Sequence, residues 1–416
     1  MSSKIQSFVI KALHGLDKVQ LMQNVDLHIS EFTPSHEILR ICVVTETYPP
    51  EVNGVALTLS RMVEGLKEQG HHVWLVRPGL QGLLPPEEGA RERWVKSLKL
   101  PMYKEVKLGM PSTAVLKRLW SHHRPDVVHI ATEGPLGWSA LRLALRMKIA
   151  VTSDFRTNFH SYSQHYRLGW LQAPILKYLK KFHNRASVTM VPTRELQRGL
   201  SELGFERLHH VPRGVDLVRF DPSHRSDALR RAWGADSDTL VMLCVSRLAA
   251  EKNLPLVIDA WRSARDRGFA TQLVLVGDGP LRAELEKNHS DVFFAGFKSG
   301  LDLSQHYASA DLFLFASTTE TFGNVTLEAM ASGLPVLAFR SAAAGELIES
   351  GVEGVLIEDD PQAYLQACVE LASQKSKLKD MGAKGRLRAM ACDWPAVIST
   401  TVGVMKACIA RNKDRA

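Results

Sequence analysis

Two carboxylates eight residues apart, Glu320 and Glu328, lie in the stretch 317–335, STTETFGNVTLEAMASGLP. An apolar run ending at Phe315 precedes it, and Gly333-Leu334-Pro335 closes it. The pattern predicts a strand, a loop carrying Glu320, and a helix opened by Gly323 and Asn324 that holds Glu328. The first amides of such a helix, from about Phe322 to Thr326 and including Val325, have no intrahelical acceptor. Together with the helix dipole they suit an anionic or hydroxyl-rich ligand. A carboxylate at Glu320 repels a bare phosphate but accepts hydrogen bonds from sugar hydroxyls. Glu328, about two turns further on, is spaced for the hydroxyls of a ribose. Each glutamate taken alone is as readily a solvated charge; the whole E-T-F-G-x-x-x-x-E string is harder to read that way.

A second stretch, SRLAAEKN at 246–253, follows another apolar run. Arg247 offers a planar fork and Lys252 a compact charge, a pair suited to a diphosphate. Glu251 either orients Lys252 or is a surface charge. VGDGP at 276–280 brings Gly277, which permits close backbone approach, and simple turns look much the same. TYPPEVNGVALTLSRM at 47–62 sets Asn53 and Gly54 where a loop meets a helix, within reach of a donor diphosphate or an acceptor; a plain strand–helix turn competes. SDFRTNFHSYSQHY at 153–166, with Arg156 and His160, is unusually dense in polar and aromatic groups for a structural loop. There is no G-x-G-x-x-G, which disfavours a dinucleotide oxidoreductase.

Buried strands must position these loops. Near-continuous Val/Ile/Leu/Phe runs occur at 40–45, 72–76, 126–130, 149–153 and 187–191. Six more follow at 239–245, 271–276, 292–295, 311–315, 335–339 and 354–357, each followed by a helix-length segment. That repetition predicts the α/β class with parallel sheets buried on both faces. The halves open alike, with LRICVVTETYPP and TLVMLCVSRLAAEKN, so two Rossmann-like domains are expected, facing a central cleft where ligands bind. The expected division is an N-terminal extension at 1–39, one domain at 40–213 and a second at 214–393. A C-terminal helix at 394–416 is expected to cross back. The charged, turn-rich stretch 221–237 reads as a linker. Ile5, Val9, Ala12, Leu13, Leu16 and Val19 have helical spacing and predict a short amphipathic surface helix.

The 416 residues are 45% hydrophobic and 23% charged, as in an ordinary globular chain, with 28 Gly and 19 Pro. No run approaches the roughly 20 apolar residues that span a bilayer. The start lacks a secretory core, and five dispersed cysteines without C-x-x-C give neither a disulfide framework nor a zinc site. A reducing cytoplasm fits. The net charge of +8 favours an anionic partner.

The ordered set N-G, R-x-x-x-x-K, G-D-G-P and E-x-x-x-x-x-x-x-E resembles the retaining nucleotide-sugar glycosyltransferases of family 4, which have the GT-B fold. The likeness runs from about residue 40 to the C-terminus. TYPPEVNGVA, PRGVD and TETFGNVTLEAMASG look closest to bacterial mannosyl- and glycolipid-type members. The resemblance implies that Arg247 and Lys252 hold the donor diphosphate. It implies that Glu320 holds the transferred sugar with backbone at 322–324, and that Glu328 holds the ribose. It implies no metal; Asp236-Ser237-Asp238 matches D-x-D but precedes a strand and reads as a turn. Many relatives carry an aromatic-His-Thr string after the fourth strand. Here it is FRT, with Arg156 in the His position and His160 four residues on. Either His160 takes the sugar contact, or Arg156 meets the donor phosphate or an anionic acceptor.

The expected reaction is metal-independent transfer of a hexose to a lipid or glycan hydroxyl. No cofactor is expected beyond the nucleotide-sugar donor, GDP-mannose favoured over UDP-glucose. Basic helices at 117–124, 142–148 and 177–185 suit an anionic membrane surface, with solvated helix faces as the competing view. A nucleotide-sugar 2-epimerase and a non-catalytic sugar-nucleotide-binding protein are the rival classes. Nucleic acid is not expected, since no recognition module is present.

Overall fold

The computed structural model describes residues 37–414 apart from 52, 81–85, 88–89, 101–102 and 157–168. The amphipathic helix expected before residue 37 and the residue His160 therefore lie outside the described residues. From Leu39 onward the chain forms one compact unit.

Its first half runs β1 (Arg40–Val44), α1 (Gly54–Glu68), β2 (His72–Pro78), β3 (Glu92–Val95), β4 (Ser97–Leu100), β5 (Tyr103–Gly109), α2 (Thr113–His122) and β6 (Val127–Ile130). It continues with α3 (Pro135–Arg146), β7 (Ala150–Asp154), α4 (Gly169–His183), β8 (Val188–Val191), α5 (Arg194–Glu202) and β9 (Leu208–His210). The second half begins α6 (Asp227–Ala232), β10 (Leu240–Val245), α7 (Leu254–Asp266), β11 (Thr271–Val276), α8 (Arg282–Asn288) and β12 (Phe293–Gly296). It ends α9 (Gly300–Ser309), β13 (Leu312–Phe315), α10 (Asn324–Ala331), β14 (Val336–Phe339), α11 (Ala342–Leu347), β15 (Gly354–Ile357), α12 (Pro361–Ala372), α13 (Lys375–Met390) and α14 (Trp394–Lys413).

The strands make two sheets, ordered β3-β2-β1-β6-β7-β8-β9 and β12-β11-β10-β13-β14-β15, with a separate β4–β5 hairpin. The strand pairs of the two large sheets are all parallel among the described residues. All eleven apolar runs are strands. Four strands were not foreseen. Edge strands β3 and β9, with sequences ERWV and LHH, and the hairpin carry too many polar residues to stand out as buried runs.

In each sheet the strand order reverses at one place, between β1 and β6 and between β10 and β13. Crossovers from these neighbouring strands leave on opposite sides, so a crevice opens at their carboxyl ends. The Ser246–Lys252 and Ser317–Gly323 loops flank the crevice of the second sheet.

Helix α14 belongs to the first half's core. Its Val397, Ile398, Val402, Met405 and Cys408 are buried in one cluster with Leu59, Met62 and Val63 of α1. Burying a Val or Ile side chain contributes about 1.5–3 kcal/mol. The two helices approach so closely that a Cβ on Gly65 would stand 2.7 Å from Ile398. The chain crosses between the halves twice, near 212–220 and near 391–394, and these two crossovers touch at Val215, whose amide donates to the Cys392 carbonyl at 2.9 Å. The stretch 221–237 is folded, not loose. It carries α6, and Arg230 inside it is 5% exposed and donates to Asp311 at 2.8 Å.

Candidate active site

On leaving β10 the chain makes a single 3-10 turn, Ala250–Lys252, ended by Asn253 at φ +50, a left-handed conformation that Asn tolerates. The turn aims Lys252 inward and leaves Arg247 on the rim. Lys252 Nζ is ion-paired with Glu320 Oε1, both side chains less than one-fifth exposed. Glu251 does not orient Lys252; its carboxylate pairs with Arg247, which is 64% exposed. Ser317 completes the floor, donating to Glu320 Oε1 at 3.2 Å and to the Glu251 carbonyl at 3.3 Å.

Gly277 and Gly279 brace this loop. Gly277 has φ +139, and a Cβ there would lie 1.8 Å from the Ser246 carbonyl oxygen. Leu248 donates to the Asp278 carbonyl at 2.9 Å, and Leu281 donates back to the Leu248 carbonyl at 3.0 Å. The G-D-G-P segment thus clamps the Arg247 loop against β11 and leaves no room for a side chain at Gly277.

Helix α10 begins at Gly323, whose φ of +84 suits glycine. Its amides at Gly323, Asn324 and Val325 meet no backbone acceptor among the described residues. The free series ends one residue earlier than expected, because Thr326 donates to the Gly323 carbonyl at 3.1 Å. Phe322 is buried, and its carbonyl accepts from Ala343 at 2.7 Å. Glu328, half-buried, accepts from the Tyr307 hydroxyl at 2.9 Å. Burial pushes its carboxyl above the usual range, against the opposing hydrogen bond from Tyr307 and the charge of Arg219.

The first half meets this loop from the other side. Asn53 caps α1. Its Oδ1 accepts from Ala56 at 2.8 Å, and its Nδ2 donates to Thr47 at 2.8 Å, so the side chain is committed locally. Gly54 beside it faces open space. One turn on, Thr58 accepts from Asn324 Nδ2 at 3.2 Å, a bond joining the two halves. Thr321 donates to the Arg156 carbonyl at 3.4 Å. Arg156 therefore presents its backbone to the loop that carries Glu320. Its guanidinium is turned inward, 5% exposed and 2.5 Å from Asp154. Burial opposes a charge at Asp154, yet Arg156 and Arg213 hold its carboxyl well below the usual range.

Glu46 follows β1 at the first sheet's crevice, where it accepts from the Leu136 amide at the start of α3 at 3.0 Å. It is 8% exposed, and burial pushes its carboxyl up to about 7. A Cβ on Gly134 would collide with it. Asp236, the first residue of D-x-D, accepts from the amides of Asp238 and Thr239 and closes a turn.

Arg247, Lys252, Glu320, Gly323, Asn324 and Val325 thus stand around one crevice, with Glu328 behind them and Asn53 and Gly54 across from them. Sequence reasoning missed Thr58, Ser317, Tyr307, Glu46, Asp154 and Arg213. The D-F-R spacing after β7 was a usable signal for Asp154. Nothing local marks Tyr307 or Thr58, whose partners are distant in sequence.

Comparison with known proteins bears on family and fold. The family described as "Glycosyltransferase Family 4" matches residues 52–219, and "Glycosyl transferases group 1" matches residues 239–374. A GDP-mannose-dependent alpha-mannosyltransferase of Mycolicibacterium smegmatis is 31% identical over 91% of this chain and 100% of its own length. An alpha-monoglucosyldiacylglycerol synthase of Streptococcus pneumoniae is 27% identical over 76% of this chain and 75% of that protein. The Anabaena protein HepE, solved with UDP and glucose, superposes with a TM-score of 0.69 at 19% identity, over 89% of this chain and 100% of that one. The fold is GT-B.

Proposed function

Since the chain belongs to glycosyltransferase family 4, we propose that it moves a hexose, mannose before glucose, from a nucleoside diphosphate sugar to a lipid or glycan hydroxyl with retention at the anomeric carbon. The observation that carries this reading is the Lys252–Glu320 pair at the strand-order reversal, beside the open amides of α10. As the sugar–phosphate bond breaks, positive charge grows on the anomeric carbon and negative charge on the departing diphosphate. Lys252, Arg247 and the α10 amides answer the second. Arg247 reaches the diphosphate by exchanging Glu251 for phosphate oxygens, a small movement for an exposed side chain. Glu320 accepts from hydroxyls of the transferred sugar, and Glu328 from those of the ribose. On the retaining path the leaving phosphate oxygen takes the acceptor's proton, so no protein base is assigned. The reading is metal-independent: turnover kept in EDTA supports it, and turnover lost in EDTA and restored by Mg²⁺ overturns it.

The mannose preference rests on the GDP-mannose-dependent relative. The glucolipid synthase among the relatives favours UDP-glucose as the second reading. Nucleotide release from GDP-mannose and UDP-glucose, with and without lipid extract, separates them. Acceptor-dependent GDP release is expected; acceptor-dependent UDP release alone shifts the reading to the second. Conversion of the donor without any acceptor would make the protein an epimerase instead.

A lipid acceptor would use the first half's basic helices. Trp120 and Phe182 in those runs are buried, and among the described residues of the same helices Val115, Leu145, Ile175 and Tyr178 are exposed apolar groups. No helix among the described residues is long and apolar enough to cross a membrane. Cosedimentation with vesicles containing anionic lipid, absent with neutral vesicles, is the expected result, and equal binding to both removes the surface from the reading.

A further inference from the structure

Beneath the cleft, between the two crossovers, lies a small interior space bounded by Thr58, Asp154, Arg156, Arg213, Trp394 and Thr401. It has room for roughly one water-sized occupant. Its charge does not balance. Asp154 faces Arg156 at 2.5 Å and Arg213 at 3.5 Å, with all three side chains nearly or wholly buried. His129, fully buried, sets Nε2 3.7 Å from the same carboxylate, and its Nδ1 is 3.0 Å from Thr152. No other carboxylate among the described residues pairs with either arginine. The segment 157–168, next along the chain, contains no Asp or Glu.

The hydrogen bonds do not balance either. Among the described residues, Arg156 Nε and Nη2 and His129 Nε2 are buried without a hydrogen-bond partner. Burial and the neighbouring Arg156 push the Arg213 guanidinium down to about 10, which leaves Arg213 charged at neutral pH. A water in the space would give the donors an acceptor but would leave one buried positive charge uncompensated, which is costly.

We propose that Arg156 and Arg213, with Asp154 between them, form a buried binding site for a small inorganic anion of chloride's size and charge. A monovalent anion balances the two arginines and one aspartate, and it supplies the acceptor that Arg156 lacks. The site touches both crossovers, through Arg213 on the first and Trp394 on the second. It also adjoins the catalytic loop, since Thr58 accepts from Asn324 and the Arg156 carbonyl accepts from Thr321. The proposal is independent of the sugar transferred, and its test needs no turnover.

The test is thermal unfolding of the full chain at fixed ionic strength, with sodium chloride replacing sodium isethionate, whose anion is too large for the space. A saturable rise of about 2–4 °C is expected with chloride. Arg156→Gln leaves one arginine for one aspartate and should lose the rise. Asp154→Asn leaves two unopposed arginines and should saturate at about tenfold less chloride. Crystals grown in sodium bromide should show an anomalous peak between Arg156 and Arg213. Identical unfolding in the two salts, a rise that survives in Arg156→Gln, or no bromide peak overturns the proposal. Should Arg156→Gln fail to fold, the direction of the Asp154→Asn shift and the bromide map decide alone.

Discussion

Arg247, Lys252 and Glu320 stand on two loops that leave the neighbouring strands β10 and β13; Gly277 and Gly279 of the next loop brace the first, and Gly323 shapes the second. Asp154, Arg156 and Arg213 of the first half assemble differently. One strand end meets a crossover 59 positions away, under a cover made by α14. In the second half local turns aim side chains that then pair across 68 positions, Lys252 with Glu320, whereas in the first half burial and pairing alone hold the cluster. Local turns fix a side chain through backbone geometry that only particular residues tolerate. Long-range pairing fixes it through burial, and leaves charges and donors whose balance must be struck elsewhere.

The largest expected effect tests whether the second half carries the chemistry. Lys252→Ala should lower turnover by about 10²–10³-fold while the unfolding midpoint stays within a few degrees. A near-normal rate of nucleotide release removes Lys252 from the diphosphate. Next, Gly277→Ala strikes the brace. With φ at +139 and the Ser246 carbonyl in the way, it should cost about 2–3 kcal/mol in urea unfolding and depress activity through the displaced Arg247 loop. Unchanged stability would mean that the loop does not depend on that turn.

Glu46 tests the first half's reliance on burial. Its folded carboxyl titrates near 7 against an ordinary value of 4.5. A raised carboxyl contributes stability that is whole below the unfolded value and is lost as pH climbs through 7. Glu46→Gln, which stays neutral and keeps an acceptor for Leu136, should gain about 2 kcal/mol over the native chain at pH 8 and much less at pH 5. An equal gain at both pH values defeats the account. The smallest effect belongs to Asn53→Ala, which should cost about 1 kcal/mol of stability as a lost helix cap. A greater proportional loss of activity than of stability would return Asn53 to the substrate.

This contrast explains what could be read from the residues alone. Lys252, Glu320, Gly323 and Gly277 were legible because turn and cap geometry restricts the residue types over a few positions. The buried strands were legible for the same kind of reason, since a parallel strand covered on both faces must be apolar along its length. Asn53 was visible as a motif, but its side chain caps a helix, and a cap and a ligand contact ask for the same residue. Arg156 was visible while its orientation was not. Only the fold buries Asp154, two positions earlier, so that its carboxylate draws the guanidinium inward beside Arg213. Tyr307 behind Glu328 left no trace, because its partner lies 21 positions away on another helix.

The placement of α14 has a consequence in time. The first half's α1 face stays uncovered until residues 394–413 exist, 181 positions after the crossover at Arg213. At translation rates of about 5–20 residues per second, that leaves about 10–35 s during which a ribosome carries a complete first sheet with one apolar flank bare. Across that interval the second half can already close on itself. The part of the chain made first is thus finished last, and a nascent chain arrested before residue 394 would present α1 to chaperones.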